Sequence, residues 1–357
     1  MSSVVQLAAA QRPSPAPRLA LLGTGVVGTA FVARYQRLRH GSLPLPEFAW
    51  LANSRVLHDC DGEPAQALEN ARASDRTPAD LPPWAETEAL RRGDVLVDAT
   101  ASEVVAERHA EWLARGVHVV TANKLGNGAA SSRARAIADA ARASGARYGN
   151  SATVGAGLPL LSSLRALVAG GDRIHRVEGV LSGSLAWLFH HYDGMRPFSR
   201  FVREARVAGY TEPDPRIDLS GEDVRRKLLI LARTAGWTMS AEDVRVESLV
   251  PAELAALPAE ELDAALDLLD APLATRFKEA YRNGGKLRFL GRFDADGAGV
   301  GLQALPVDHP LCGGGGTDNR VAIFSDRYRD RPLLIQGPGA GAEVTAAALL
   351  DDVLRVT

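Results

Sequence analysis

Cysteine is almost absent from this chain of 357 residues, and the two that occur, Cys60 and Cys312, have neither CxxC nor zinc-type spacing. That excludes a disulfide scaffold and a thiolate metal site, and it points to a reduced, cytoplasmic setting. The eight histidines form no HExxH arrangement, which excludes a zinc hydrolase of that type. No stretch approaches the roughly 20 apolar residues of a membrane span. With 41 basic and 43 acidic residues the formal charge is −2, so no global field draws the chain to nucleic acid. There are no internal repeats, and Gly313 to Gly316 lacks the GK[ST] ending of a phosphate loop. Residues 1–18 hold a short apolar run and then three prolines, which reads as a flexible leader rather than a signal peptide.

What is present is an alternation of strand and helix signals. Leu19 to Leu22 form a short apolar strand, followed by Gly23, Thr24, Gly25, Val26, Val27 and Gly28 and a helical stretch, AFVARYQRLR. That order suits a dinucleotide: Gly23 permits the tight turn, Gly25 lets the backbone approach a pyrophosphate, and Gly28 lets helix and strand pack closely. The phosphates then sit on the helix N-terminus. A second strand runs from Glu47 to Ala52, and its exit, Asn53-Ser54-Arg55, offers no acid for an adenosine ribose. A hydroxyl and a guanidinium there suit a 2′-phosphate, so NADP(H) is expected over NAD(H); the competing reading makes Arg55 an ordinary surface residue.

Residues 59–83 read as a polar surface excursion. Strands at Asp94–Asp98 and Val117–Val120 then alternate with helices at Glu103–Arg115 and Ala129–Ala143, the rhythm of an α/β, Rossmann-type doubly wound parallel sheet. Thr100, Ala101 and Ser102 follow one strand and Lys124 the next, where such sheets place ligands. A loop lysine also commonly faces solvent, so position alone leaves Lys124 open.

A glycine-rich hinge, Val154 to Pro159, leads into a second, α+β unit expected to cover 154–335. Its strand Val177–Leu181 ends in Ser182-Gly183-Ser184, a helix-capping turn that can hold a ligand. Gly337 to Gly341 and the terminal helix resemble the glycine-plus-helix units of the first domain, so 19–153 with 336–357 is read as the dinucleotide-binding domain. The most charged stretch is GYTEPDPRIDLSGEDVRRK, Gly209 to Lys227. Pro213 and Pro215 are expected to hold Glu212 and Asp214 extended. Ser220 reads as an N-cap with Asp223 three positions on, as in a capping box, and Asp223 and Lys227 stand one turn apart on one helix face. Two readings fit: a capped helix with a solvated ion pair contributing about 0.2–0.5 kcal/mol, or a site for a polar substrate, where crowded acids shift proton affinities.

In order, GTGVVG, LANSR, VDAT, VVTANK, ATVGAGLP, GVLSGSLAWLF, GYTEPDPR, DLSGEDVRRKLLILAR and GAGAEVTA resemble homoserine dehydrogenase over nearly the whole chain from Leu19. The likeness is strongest to the dehydrogenase half of the bifunctional aspartokinase–homoserine dehydrogenases. It implies the monofunctional arrangement, without a kinase portion or a regulatory ACT domain, and a homodimer formed through the second domain. It also implies reversible reduction of L-aspartate 4-semialdehyde to L-homoserine by NAD(P)H, on the branch to threonine and methionine. By the same resemblance Lys227 and Lys124 flank the reacting oxygen, Asp223 pairs with Lys227, and Glu212 and Asp218 hold the substrate amino group with Gly183 and Ser184. An ammonium-bearing substrate gives the acids a purpose, and an aldehyde becoming an alkoxide needs a proton donor or cation beside it.

Family members commonly carry an acid three positions before the valine of the VGAG turn, associated with a monovalent cation. Here that position is Ser151, which leaves a cation on the carbonyls of Val154 and Ala156 open. Two alternatives stand beside this reading: an NADP-dependent oxidoreductase of the same architecture acting on another small substrate, and a non-catalytic NADP-binding regulatory protein. Retention of both lysines argues against the second. Aspartate-semialdehyde dehydrogenase would need a nucleophilic cysteine in a motif that neither cysteine has.

Overall fold

The computed structural model describes residues 16–75, 83–84 and 89–357. The first sheet is built from β1 (Arg18–Leu22), β2 (Glu47–Ala52), β3 (Leu57–Asp59), β4 (Val95–Asp98), β5 (His118–Thr121) and β6 (Tyr148–Gly149). Its helices are α1 (Val26–Leu38), α2 (Pro64–Ala73), α3 (Glu103–Ala114) and α4 (Ser131–Ser144). The strands lie in the order β3-β2-β1-β4-β5-β6. From β2 to β6 neighbours are parallel, whereas β3 turns back antiparallel on β2. Leu19 to Leu22 are shielded from solvent, as a strand covered on both faces must be. Strand order reverses between β1 and β4, so a crevice opens at their carboxyl ends.

Part of the excursion expected at 59–83 is ordered structure. α2 starts with Pro64 at its first position, where a missing N–H is harmless, and buries Ala67, Leu68 and Ala71. A stripe made mostly of alanine carries little periodic signal. Residues 76–82 of that excursion lie outside the described set.

The second sheet follows α5 (Leu160–Ala169). Along the chain come β7 (Ile174–Val180), α6 (Gly183–His191), α7 (Phe198–Val207), α8 (Arg216–Leu219), α9 (Glu222–Thr234) and β8 (Val244–Val246). Short helices α10 (Ala252–Ala255) and α11 (Leu262–Ala265) precede α12 (Asp270–Arg282), β9 (Gly285–Asp294), β10 (Gly297–Pro306), β11 (Asp318–Ser325) and β12 (Leu333–Pro338). The order is β12-β11-β7-β9-β10-β8, antiparallel except for the β10–β8 pair. Leu185, Phe198, Phe201, Leu228, Phe289 and Phe293 form the centre of its core. Gly291 on β9 lets α9 lie close, since a methyl there would touch Val224 and Leu228 at 3.3 Å.

The chain then crosses back. α13 (Ala342–Val356) puts Ala346, Leu349, Leu350 and Val353 into one cluster with Leu19, Leu21 and Phe31 of the first sheet. At the crossing a side chain on Gly339 would stand 2.0 Å from Asn319, so that loop packs directly on β11. Among the described residues no helix is long and apolar enough to cross a membrane.

Candidate active site

Lys227 sits midway along α9 and is buried. A buried ammonium is costly unless paired, and this one donates to the Leu181 carbonyl at 2.7 Å and meets Asp223 Oδ2 at 2.8 Å. Helical spacing brings Asp223 and Lys227 together, and both sit on a helix whose opposite face is apolar. Asp223 Oδ1 faces the Lys124 ammonium at 3.4 Å, so one carboxylate joins a loop of the first sheet to a helix of the second. Partial burial works against the charged form of Asp223, but the two ammonium groups outweigh it and hold the carboxyl well below the usual range. The helix N-terminus adds to that preference. Of the three N–H groups of Lys227, two are engaged, and the third has no partner among the described residues.

The acidic stretch departs from its expected local form. Residues Arg216–Leu219 are helical, with Pro215 in right-handed helical backbone at the entrance, while Glu212 and Asp214 stay outside any helix. Ser220 does not cap α9: it accepts from the Glu222 N–H at 3.2 Å and donates to the Ile217 carbonyl at 2.8 Å, closing α8. The N-cap of α9 is Gly221 at φ 78°, a left-handed turn between two helices, and no side chain caps it. Asp223 is thereby released from capping and faces the two lysines. Asp214 is absorbed by Arg216 at 2.7 Å, whose hydrogen bonds lower its proton affinity.

Asp218 is held on both sides. Its Oδ1 accepts from Ser184 at 2.7 Å, and its Oδ2 accepts from the Glu212 N–H at 2.9 Å. Ser182 caps α6 and touches Ser184 at 2.8 Å, so Gly183 and Ser184 open that helix two residues after the carbonyl that receives Lys227. The Glu212 side chain is exposed, with no ion pair among the described residues.

The glycine turn fits a dinucleotide. Gly23 has φ 105°, and a side chain there would meet the Ala99 carbonyl at 2.8 Å. A methyl on Gly28 would stand 1.9 Å from the Gly23 carbonyl, so only glycine lets α1 start this close to β1. Above Gly25 the space is open to 4 Å, which leaves the N–H groups of the α1 N-terminus accessible to an anion. Val26 is exposed beside it. Asn53 donates to Thr24 at 3.2 Å and accepts from the Arg55 N–H at 2.8 Å, so it fixes the turn itself. Ser54 is exposed, and the Arg55 guanidinium rests on the Arg72 carbonyl at 3.3 Å. Ala101 is exposed, while Thr100 and Ser102 are hydrogen-bonded to each other and to Asn123.

At the hinge, Ser151 gives its N–H and hydroxyl to Asp352 of α13 at 2.8 and 2.9 Å. Ser151 is thus already engaged, and Val154 and Ala156 are buried. Among the described residues no three His, Cys, Asp or Glu gather as metal ligands.

Several residues at this centre were not singled out from sequence: Leu181, whose carbonyl also accepts from Asn319 at 3.2 Å, and the buried Asp98 and His109 with the half-buried Tyr148 beneath Lys124. One signal for the pair of lysines was available. Of 41 basic residues only four are lysine, at 124, 227, 278 and 286, so the chain uses arginine almost everywhere else.

A family model for the homoserine dehydrogenase NAD-binding domain matches residues 23–149, and the homoserine dehydrogenase model matches 159–354. A chloroplastic bifunctional aspartokinase/homoserine dehydrogenase of Zea mays is 45% identical over 266 residues, 74% of this chain. The chain spans only 29% of that relative's length. A homoserine dehydrogenase of Emericella nidulans is 35% identical across 95% of this chain and 97% of its own. Among solved structures, a Candida auris protein of unknown function superposes with a TM-score of 0.84 at 34% identity, covering 95% of this chain and 98% of that one. With both halves matched in order and a relative of the same length aligned throughout, the chain belongs to the homoserine dehydrogenase family.

Proposed function

We propose that this chain interconverts L-aspartate 4-semialdehyde and L-homoserine with a nicotinamide cofactor. The observation that carries the reading is the unpartnered third N–H of a buried lysine, held by Asp223 and the Leu181 carbonyl beside a second lysine. A buried cation with a free donor is what an aldehyde oxygen needs as it becomes an alkoxide. When bound, the cofactor supplies the hydride, so the protein's share is position and charge. Lys227 and Lys124 flank the reacting oxygen, and one of them returns a proton to it; Asp223 keeps both charged and aligned. Glu212 and Asp218 accept the substrate ammonium, with the opening turn of α6 at Gly183 and Ser184 beside them. The dinucleotide lies over Gly23–Gly28 and along Thr100–Ser102.

Residues 19–153 with 336–357 serve the cofactor, and 154–335 serve the substrate and a homodimer contact, in a cytoplasmic enzyme. NADP(H) is preferred, because Asn53 is used up in its own turn, no acid follows it, and the hydroxyl of the exposed Ser54 and the guanidinium of Arg55 suit a 2′-phosphate. The test is oxidation of NADPH, with NADH in parallel, on adding L-aspartate 4-semialdehyde. Turnover favouring NADPH, with the preference reduced about 10-fold in Arg55→Ala, is the expected result. Binding of NADPH without turnover would favour a relative with another substrate, and an unchanged cofactor ratio in Arg55→Ala would remove that arginine from the argument.

A further inference from the structure

Beneath Lys124 lies a polar cluster with a fully buried centre and a half-buried rim. Asp98, the last residue of β4, and His109, on α3, are both completely buried. The hydrogen bonds on the Asp98 carboxylate run to Thr100 and Thr121 above it and to His109 on α3. Its Oδ1 accepts from the Thr100 N–H at 2.9 Å and hydroxyl at 2.7 Å, and its Oδ2 accepts from Thr121 at 3.2 Å and His109 Nε2 at 2.9 Å. A carboxylate only accepts, so His109 carries its hydrogen on Nε2. In the neutral ring Nδ1 then accepts from the Tyr148 hydroxyl at 3.1 Å. Burial, and after it the charge of Asp98, push the Tyr148 proton affinity well above normal, which keeps that hydroxyl a donor.

The far end of the cluster touches the Lys124 loop. A methyl on Gly126 would stand 2.3 Å from the Tyr148 hydroxyl and 2.9 Å from His109 Nδ1, so the loop backbone rests on this pair. At the near end, Thr121 passes the contact on to the Asn123 N–H at 2.8 Å, and Asn123 holds the Leu125 N–H at 3.1 Å. The Gly128 N–H closes the loop on the Lys124 carbonyl at 2.7 Å. Lys124 is thus fixed from both sides, while its own ammonium touches only Asp223 among the described residues. Such a largely buried, paired network has a cost if broken, and none of the hydrogen bonds that hold Asp98, His109 and Tyr148 runs to Lys227 or Asp223.

We propose that Asp98, His109 and Tyr148 are positioning residues for Lys124, a buried anchor that sets where the Lys124 ammonium stands relative to Asp223. The catalytic consequence rests on the function proposed above, but the placement of the amine does not. Tyr148→Phe removes one hydroxyl from the anchor, and Gly126→Ala disturbs the same contact from the loop side.

Two readouts test the idea. In pulsed acylation with acetic anhydride followed by mass spectrometry, Lys124 should react about 5-fold faster in either variant than in the parent, measured against the exposed Lys278 and Lys286 in the same chain. In turnover, Tyr148→Phe should lower kcat about 10-fold in the parent background and less than about twofold when Lys124 is already alanine, because the two changes act through one group. An unchanged Lys124 acylation ratio overturns the anchor. Equal losses of kcat in both backgrounds also overturn it, since they describe general damage. If circular dichroism shows both variants unfolded, selective positioning is likewise overturned. A parent chain without turnover would count against the proposed reaction, and the acylation ratio would still decide the anchor.

Discussion

Lys227 and Lys124 meet the same carboxylate by opposite routes. Lys227 rides on a regular helix, one turn from Asp223, and its place follows from helical periodicity once α9 has packed on β9. Lys124 stands in a loop, and its place depends on residues as distant as Asp98, His109 and Tyr148, drawn from three elements of the first sheet. The helix-borne group is determined locally and the loop-borne group only after the sheet has assembled. Mutations should therefore act cleanly on the first and diffusely on the second.

The strongest test of the helix side removes its charge. Lys227→Met should lower kcat by ~10²–10⁴, equivalent to about 3–5 kcal/mol of barrier, while far-ultraviolet circular dichroism stays that of the parent. Near-parental kcat in a folded variant would reduce Lys227 to a structural ion pair. Next in size is the turn that sets the helix in place. Gly221→Ala forces a side chain onto φ 78° and within 2.9 Å of the Phe289 ring, so it should cost about 1–3 kcal/mol of stability. Thermal denaturation reads that loss, and an unchanged Tm would mean the left-handed turn is not required.

The mildest test concerns the shared carboxylate. Because the folded state holds Asp223 ionised to lower pH than the ordinary value of about 3.9, its contribution to stability is complete above that pH and fades as pH falls towards the folded value. The stability gap between parent and Asp223→Asn should accordingly be flat from neutrality to about pH 5 and narrow below about pH 4. A gap that instead narrows between pH 5 and 7 would show that the lysines do not hold the carboxyl.

The same contrast separates what could be read in the sequence from what could not. The Gly23–Gly28 turn, the parallel strands and the face shared by Asp223 and Lys227 are local patterns, and the structure contains each of them. Ser220 misled because a serine before an acidic, apolar-periodic run fits a cap equally well at the end of one helix or the start of the next; Gly221 decides between them by turning left-handed. α2 hid behind a stripe of alanines. The anchor beneath Lys124 was invisible for a different reason: Asp98, His109 and Tyr148 are unremarked as single residues, and only the parallel order β4-β5-β6 brings them to one place.

Asp223 also acts as a logical conjunction. One of its oxygens answers to Lys227 on its own helix and the other to Lys124 across the crevice, so the second contact exists only when the two sheets are correctly juxtaposed. If they part by a few ångströms, the Lys227 pair survives intact while the Lys124 pair vanishes. Lys124 then loses its counterion while Lys227 keeps it, which undoes the charge arrangement without unfolding any element. A carboxylate whose partners are intrahelical on one side and remote on the other reports in this way whether the whole molecule is assembled.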